Sequence, residues 1–300
     1  MYQYNLYRYL KEKYPSVEVK ADLTWFYTNN DHHGFELKRI FEGVDNSDFS
    51  LTEATKKEIY SCSGQIPVPV KGLPAKPIKF LLGPVNRKLR EAKVPEKCGI
   101  TLDQLEGDIP FEIIDNLDSK RNYYICGFFI EEHYYGERID KLKKEFIFPK
   151  IEDDENASML KQIDESDSVS IHVRRGDYLS STYSDRFISL GRDYYEKATE
   201  YIKGKTSNPR FFIFSDDCEY IKEAFSWLDD KVIVDINSGD NSFRDMQLMA
   251  GCKHNIIANS TFSQWAAILN RNPGHITVYP GKYLSDADAE NKACEGWIRL

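Results

Sequence analysis

Two adjacent arginines, Arg174 and Arg175, follow an apolar stretch that ends at Val173. Guanidinium groups that leave a buried strand are costly unless they meet an anion. A planar guanidinium can hold the oxygens of a diphosphate through paired hydrogen bonds, so a diphosphate is the ligand that this pair predicts. The alternative is an internal cluster of ion pairs, in which neighbouring carboxylates neutralise the arginines and no ligand is involved.

His172 and Asp177 flank the two arginines. His172 lies at the end of the apolar stretch, where its ring could reach the base or the ribose of a nucleotide. Asp177 could hold an arginine in place or accept a proton during catalysis. The triplet Arg175-Gly176-Asp177 also matches an adhesion motif, but the apolar strand before it argues against an exposed, flexible loop.

A pair of carboxylates, Asp216 and Asp217, follows a second apolar run at 211–214. The pair could fix ribose hydroxyls or support an arginine. Asp217 is equally suited to cap the helix that follows, because a carboxylate accepts hydrogen bonds from free N–H groups at a helix start.

A third polar cluster, made of Asn259, Ser260, Thr261 and Ser263, begins a predicted helix after the apolar run at 255–258. Free backbone N–H groups and the positive end of the helix dipole suit a phosphate there, and the hydroxyls add donors. A plain helix cap needs only one of these residues, so four of them favour the phosphate interpretation.

These clusters require a fold that brings several strand ends together. The sequence predicts strands over 168–173, 211–214, 231–234, 255–258 and 276–279, and helices over 193–202, 217–227, 243–252 and 261–269. Continuous apolar strands that alternate with helices predict a parallel α/β sheet covered on both faces. Such sheets bind ligands beyond the carboxyl ends of their strands, which is where the polar clusters lie.

The first half of the chain is less regular. The sequence predicts a helix from Tyr2, a long Pro- and Gly-rich loop over 61–80, a strand over 123–127 and a helix over 134–148. Pro149 and the acidic run that follows it predict a boundary between two domains, 1–150 and 151–300.

Composition narrows the function classes. Hydrophobic residues make up 41% and aromatic residues 13% of the 300 residues, which excludes a disordered chain. A net charge of -8 argues against a general nucleic-acid binder. No signal peptide or apolar run long enough to span a membrane is present, and the six cysteines are scattered, so we expect a reduced cytoplasmic compartment.

Several nucleotide and metal motifs are absent. The sequence contains no G-x-x-x-x-G-K-[ST], no G-x-G-x-x-G and no H-E-x-x-H. The single Asp-x-Asp, at Asp286 and Asp288, lies in a polar segment rather than after an apolar strand. We therefore expect arginines and helix dipoles, not a metal ion, to neutralise the charge of a ligand.

Three segments together resemble glycosyltransferase family 11, the α-1,2-fucosyltransferases. The heptapeptide His-Val-Arg-Arg-Gly-Asp-Tyr at 172–178 resembles the signature of the family, and Phe-Ser-Asp-Asp at 214–217 resembles its second motif. The segment 245–265, from Asp245 through Asn-Ser-Thr-Phe-Ser-Gln-Trp, resembles the third, and 33–37 resembles a segment of the family's N-terminal domain. The resemblance covers nearly the whole chain.

The resemblance implies a GT-B-like α/β fold, in which two Rossmann-like domains, here an acceptor-side 1–150 and a donor-binding 151–300, face a cleft. It implies inverting, metal-independent transfer of L-fucose from GDP-fucose, used as a co-substrate with no other cofactor, to the 2-hydroxyl of a terminal β-galactoside. For a chain that resembles this family, the lack of an anchor leads us to expect a bacterial cytoplasmic enzyme of surface glycan synthesis, at most peripheral to the inner membrane.

The resemblance also assigns site residues. Arg174 is the expected diphosphate ligand and, with Asp177, the expected catalytic residue. The expected donor-binding set is completed by His172 and Asp245 near the guanine and by further residues around the ribose and phosphates, namely Arg175, Asp216, Asp217, Asn259, Ser260, Thr261 and Ser263. His33 and Glu36 are expected on the acceptor side, and either of them or His32 is the alternative to Asp177 as general base.

One departure from the family pattern concerns the start of the chain. Members of the family usually open with a strand and a loop like Gly-Gly-Leu-Gly-Asn-Gln, whereas this sequence begins with the helix that follows them. The expectation is an N-terminal domain without its first strand. The alternative function is therefore a catalytically impaired homologue that binds a nucleotide or a glycan.

Overall fold

The computed structural model describes residues 1–27, 35–42, 51–67, 75–91, 102–106, 109–176, 178, 187–284 and 292–300. The chain divides into two compact units, Met1–Tyr135 and Gly136–Leu300. This division falls before residue 150, because the segment that precedes Lys150 bonds within the second unit. Lys143 Nζ donates to the carbonyl of Asn270 at 2.7 Å, and Arg244 Nη1 donates to the carbonyl of Pro149 at 2.9 Å. The assignment of acceptor and donor roles to 1–150 and 151–300 stays a prediction.

The first unit contains five α-helices, a 3-10 helix over Thr24–Tyr27 and two short strands among its described residues up to Cys126. The α-helices and strands are α1 (Tyr2–Lys13), α2 (Leu37–Ile40), α3 (Lys56–Ser63), α4 (Ala75–Glu91), β1 (Leu102–Glu106), α5 (Phe111–Asp115) and β2 (Asn122–Cys126), with β1 and β2 paired in parallel. The predicted helix at the start of the chain is present as α1. It buries Tyr4 and Leu6, and the Asn5 amide donates to the carbonyl of Tyr134 at 2.8 Å.

The loop predicted over 61–80 has helical residues at both of its ends, so the prediction is wrong there. Helix α3 continues to Ser63, and α4 begins at Ala75 and contains both Pro77 and Pro84. Pro77 lies in the first turn of α4, where a backbone N–H has no intrahelical partner, so a proline loses nothing there. Proline content alone therefore overstated the extent of the loop.

The second unit is built on a six-stranded, all-parallel sheet. Its strands are β3 (Asp167–Val173), β4 (Pro209–Ser215), β5 (Lys231–Val234), β6 (His254–Ile256), β7 (Thr277–Tyr279) and β8 (Ile298–Arg299). Its helices are α6 (Ile139–Glu145), α7 (Asp154–Asp164), α8 (Arg192–Lys203), α9 (Cys218–Ala224), α10 (Phe243–Gly251) and α11 (Thr261–Leu269). The predicted parallel α/β sheet is thus confirmed, and Val169, Ile171, Ile213, Ile256 and Val278 form its fully buried core.

Two predicted helices are shorter than expected. In place of one helix over 134–148, 3-10 turns over Glu132–Tyr134 and Gly136–Arg138 precede α6. The helix predicted to reach 227 ends at Ala224, and the chain then turns so that Phe225 and Leu228 enter the core.

The ends of β3 and β6 lie where the direction of the strand order reverses. The sheet runs β5-β4-β3-β6-β7-β8, so the chain moves outward in one direction from β3 and then returns to lay β6 on the other side of β3. At such a topological switch point the two outgoing connections diverge and leave a crevice beyond the carboxyl ends of the strands. The residues that follow β3 and β6 therefore line the position where a parallel sheet binds its ligand.

Candidate functional site

The arginine pair after β3 meets the carboxylate pair after β4. Val173 and Ser215 are neighbours in the parallel register, so the residues that follow each of them leave the sheet side by side. Arg174 Nη1 lies 3.0 Å from Asp216 Oδ2, and Arg175 Nε donates to Asp217 Oδ2 at 3.1 Å. Asp216 Oδ1 also accepts the backbone N–H of Arg175 at 2.9 Å. The carboxylates hold the arginines in place.

The two arginines differ in their surroundings. Arg175 lies with Cζ 3.7 Å from the centre of the Tyr220 ring, and its partner Asp217 caps α9 by accepting the N–H of Tyr220 at 3.1 Å. Arg175 is therefore built into the packing of α9. Arg174 is held by Asp216 and lies near the ring of Tyr178, whose hydroxyl bonds to the loop before α11. Arg174 is consequently the better placed of the two to bind an anion.

Gly176 makes the close approach of the arginine loop to Asp216 possible. A Cβ at this position would lie 3.0 Å from Asp216 Oδ2 and 3.2 Å from Asp216 Cγ. Any side chain would push away the carboxylate that holds Arg174. Asp177, His32 and His33 lie outside the described residues. Glu36, in the first unit, accepts a hydrogen bond from Arg39 Nε at 2.8 Å.

The polar residues after β6 separate into supporting and accessible groups. Asn259 is 1% exposed, and its amide donates to the carbonyls of Ile188 and Tyr283 at 2.9 and 3.0 Å. Ser263 is fully buried and donates to the carbonyl of Ser260 at 3.3 Å.

Ser260 caps α11 by accepting the N–H of Phe262 at 3.4 Å, and Thr261 is exposed in the first turn of that helix. Among the four predicted phosphate ligands, the structure places Thr261 at the surface, whereas Asn259 and Ser263 support the loop from inside.

Tyr178 ties the ends of β3 and β6 together. Its hydroxyl donates to the carbonyl of Asn259 at 2.7 Å, and its ring stacks on Phe187 with centroids 4.5 Å apart. Arg174 Cζ lies 5.9 Å from the centre of the same ring. The contacts of Tyr178 therefore link the arginine loop to the start of α11 across the switch point. Sequence analysis missed this residue, although it closes the heptapeptide at 172–178.

His172 is a buried, neutral imidazole beside these loops. It is 4% exposed, its ring centroid lies 5.8 Å from that of Phe262, and its Nδ1 has no hydrogen-bond partner among the described residues. Burial, with a smaller contribution from the positive charge of Arg174, lowers the pKa of His172 to about 3. An uncharged ring with an unpartnered nitrogen is suited to a hydrogen bond with a heterocyclic base rather than to an ion pair with phosphate.

Asp245 lies in the first turn of α10, within a second polar group beyond β5. Its Oδ1 accepts the amide of Asn237 at 2.8 Å, and Asn237 in turn exchanges two hydrogen bonds of 2.9 Å with Asn156. Burial raises the pKa of Asp245 to about 7, and the charge of Asp235 adds to this effect. Sequence analysis missed both asparagines, because their pairing across the fold leaves no local signal.

Cys218 connects the second polar group to the first. Burial, followed by Asp235 and then the charge of Asp245, raises the pKa of the Cys218 thiol to about 12. Cys218 directly follows Asp217, so Asp245 acts electrostatically on the residue next to the carboxylate pair. The charge of Asp245 therefore acts at the same end of the sheet as the pair of Asp216 and Asp217.

Two kinds of site are absent from the described part of the chain. It contains no group of three or more His, Cys, Asp or Glu side chains arranged to hold a metal ion. Within the same ranges, no helix combines the length and the apolar character needed to cross a membrane.

Comparison with known proteins points to one family. A sequence profile of "Glycosyl transferase family 11" matches residues 109–300, a segment that contains the whole parallel sheet and its polar clusters. An α-1,2-colitosyltransferase from Escherichia coli is 28% identical over an alignment that covers 98% of this chain and 94% of that protein. The O-antigen biosynthesis glycosyltransferase WbnK from Escherichia coli is 36% identical over 136 residues.

Other relatives match shorter segments. The galactoside 2-alpha-L-fucosyltransferase Sec1 of Mus musculus is 33% identical over 37% of this chain. The matched segments span only 45% of WbnK and 30% of Sec1. Among solved structures, the fucosyltransferase NodZ from Bradyrhizobium aligns with a TM-score of 0.37 and 18% identity, over 54% of this chain and 56% of that chain.

Proposed function

Because the chain belongs to glycosyl transferase family 11, we propose that it transfers L-fucose from GDP-fucose to the 2-hydroxyl of a terminal β-galactoside. The observation that carries the proposal is Arg174, held by Asp216 at the switch point of the sheet and linked through Tyr178 to the start of α11. We further propose that the transfer inverts the anomeric carbon, needs no metal ion, and takes place between two Rossmann-like domains of GT-B type.

Arg174 and the start of α11 would bind the diphosphate of the donor. During transfer the bond between the sugar and the β-phosphate breaks, and negative charge builds up on the departing phosphate oxygens. A guanidinium already fixed by Asp216 stabilises this charge without reorganising, as do the N–H groups in the first turn of α11. These donors take the role that a divalent cation has in other transferases, which supports the metal-independent part of the proposal.

His172 and Asp245 would recognise the guanine base. A guanine presents N–H donors on one edge, and an ionised carboxylate is their natural acceptor. The raised pKa of Asp245 means that its ionised form costs free energy in the empty protein. Bound guanine would therefore lower this pKa and release a proton, so donor affinity is expected to rise as the pH increases through about 7.

The attacking hydroxyl of the acceptor needs a base on the face opposite the leaving diphosphate. We propose Asp177 for this role, since it follows the arginine loop directly, with His33 or Glu36 on the acceptor side as the alternatives. We place the reaction in the bacterial cytoplasm, in the synthesis of a surface glycan.

Two other functions are alternatives to this one. Colitosyl transfer is favoured by the match to the α-1,2-colitosyltransferase over 98% of this chain, and colitose is fucose without its 3-hydroxyl. The second alternative is a homologue that binds a nucleotide or a glycan without transferring a sugar.

One series of measurements separates these functions. GDP is titrated into the full chain by calorimetry, and GDP-fucose or GDP-colitose is then incubated with a panel of terminal β-galactosides while product mass is recorded. The fucosyl product is expected, and it is heavier than the colitosyl product by one oxygen atom. GDP binding without either product supports the binding-only homologue, whereas absence of GDP binding refutes the proposal.

A further inference from the structure

Helix α4 leaves large apolar side chains in solvent. Phe80 is 81% exposed, Leu81 is 66% exposed and Val85 is 42% exposed. A single exposed apolar residue is ordinary on a protein surface, but a group of them on one helix indicates an interaction surface. Neither the proposed transfer reaction nor the core of the first unit uses these side chains.

The orientation of α4 is fixed by Asn86. Its Oδ1 accepts the N–H of Ile66 at 2.7 Å, and its Nδ2 donates to the carbonyl of Ile66 at 3.1 Å. Leu82 and Leu89, which lie within roughly 60° of Asn86 around the helix axis, are only half-buried. The face of α4 that points toward the protein is therefore the one that contains these three residues.

The opposite face of α4 is an apolar stripe. Pro77, Phe80, Leu81 and Pro84 lie between roughly 120° and 180° from Asn86 around the helix axis, and all four are exposed. The spacing of three to four residues aligns them along the outer side of the helix. This face thus presents aromatic, aliphatic and proline side chains to the surroundings.

Charge distinguishes α4 from the rest of the chain. The helix contains Lys76, Lys79, Arg87, Lys88 and Arg90 but only one acidic residue, Glu91, in a chain whose net charge is -8. The exposed Arg87 lies at one edge of the apolar stripe, next to Phe80, and the exposed Lys88 lies within the stripe, next to Leu81. A chain with a net charge of -8 therefore places the positive charges of Arg87 and Lys88 beside the exposed Phe80 and Leu81.

We propose that α4 docks the protein onto an anionic lipid bilayer. The helix would lie in the plane of the interface, with Phe80 and Leu81 inserted at the boundary of the acyl chains and Arg87 and Lys88 on the phosphate headgroups. Helix α4 has 17 residues and five basic side chains, which suits it to lie on the bilayer rather than cross it. A bilayer with acidic lipids attracts the basic residues of α4 and repels the acidic remainder of the chain. The helix is therefore the part of the chain that would face such a bilayer.

The proposal is tested by sedimentation of the full chain with two kinds of vesicle. One is phosphatidylcholine alone, and the other contains about one third phosphatidylglycerol. The wild-type chain is expected to sediment with the anionic vesicles and to be released by high salt. The variant R87Q/K88Q is expected to bind them about thirtyfold more weakly, because each cation near the surface contributes about fivefold to the affinity and two are removed. The variant F80S/L81S is expected to lose at least tenfold.

Phe128 provides the matched control, because it is 75% exposed and lies outside α4. F128S is expected to bind the anionic vesicles like the wild type. Equal binding to both vesicles, unchanged binding of F80S/L81S, or the same loss in F128S would overturn the proposal. So would a wild-type dimer that F80S/L81S disrupts without any binding to vesicles, since α4 would then cover a second copy of the chain. Circular dichroism establishes that the variants fold, and the assay needs no sugar nucleotide, so its failure is distinct from failure of the proposed transfer reaction.

Discussion

Replacement of Arg174 by alanine separates diphosphate binding from structural support. In the structure, the Arg174 side chain is 27% exposed and its guanidinium is oriented by Asp216. A charge-assisted hydrogen bond contributes about 1.5–3 kcal/mol, and a guanidinium forms two of them with a diphosphate. Since part of this gain is offset by the existing pair with Asp216, we expect R174A to lose about 3–4 kcal/mol of transition-state stabilisation, or about 10² to 10³ in kcat/KM.

Arg175 is the matched control for this substitution. It has the same chemistry and the same exposure as Arg174, but it is engaged by Asp217 and by the face of Tyr220. R175A is therefore expected to lower the free energy of unfolding by about 1–2 kcal/mol and to change GDP affinity by less than about fivefold.

The assay is calorimetric titration of GDP together with initial rates of sugar transfer for both variants, each checked by urea unfolding. R174A is expected to unfold like the wild type while it loses GDP affinity and turnover. R174K is expected to recover only part of the loss, because a lysine cannot form the paired hydrogen bonds. Equal losses of GDP affinity in R174A and R175A, or wild-type turnover in R174A, would refute the assignment of the diphosphate to Arg174.

Three further predictions concern the same end of the sheet. G176A is expected to displace the Asp216 carboxylate, which lies 3.0 Å from the added Cβ, and to lower kcat/KM by about tenfold or more; unchanged kinetics would contradict this. The pKa of Asp245 is raised to about 7 in the folded chain, so the wild type loses stability as the pH rises from about 4 to about 7. D245N should therefore match the wild type at low pH and exceed it by about 1–4 kcal/mol at pH near 8 in urea unfolding, and a pH-independent difference would contradict the assigned burial. S260A removes the cap of α11 and should cost about 0.5–1 kcal/mol of unfolding free energy; a loss above about 2 kcal/mol would mean that Ser260 does more than cap the helix.

The second unit could be predicted from the sequence because its elements carry strong local signals. The strand predicted over 231–234 matches β5, and the helix predicted over 261–269 matches α11. Buried parallel strands are continuous apolar runs, and Ser260 marks the helix start, so neither feature depends on distant contacts. The parallel pairing followed from the alternation of strands and helices.

The first unit could be predicted only in part, because its signals conflict. Strand β1 has the sequence Leu-Asp-Gln-Leu-Glu, which lacks β-branched and aromatic residues, and its pairing with β2 is a tertiary contact. In α4 the prolines indicate a loop, whereas the helical spacing of the apolar residues indicates a helix. The position of Pro77 in the first turn resolves this conflict for that proline only, since Pro84 lies inside the helix, and the position of Pro77 is known only when the helix start is known.

The site could be predicted as far as the residue types at the strand ends. The sequence left two roles open for Asp216 and Asp217, which were to bind a ligand or to support the arginines. In the structure Asp216 pairs with Arg174 and Asp217 with Arg175, so both carboxylates support an arginine. The Asn156–Asn237 exchange under Asp245 could not be predicted, because it joins residues 81 positions apart. Polar side chains that pair across the fold have no periodicity that a sequence pattern can reveal.

The different roles proposed for the two arginines agree with the geometry of β3. Successive side chains of a strand point to opposite faces of the sheet, and the same alternation continued past Val173 predicts His172 and Arg174 on one side and Arg175 on the other. The charge of Arg174 accordingly reaches His172 and contributes to its lowered pKa, while Arg175 packs against Tyr220 of α9. The proposed base contact at 172 and the proposed phosphate contact at 174 would then lie on one side of the sheet, as a single nucleotide requires. The spacing of two residues between the histidine and the first arginine therefore supports the proposal that Arg174 binds the ligand and that Arg175 provides structural support.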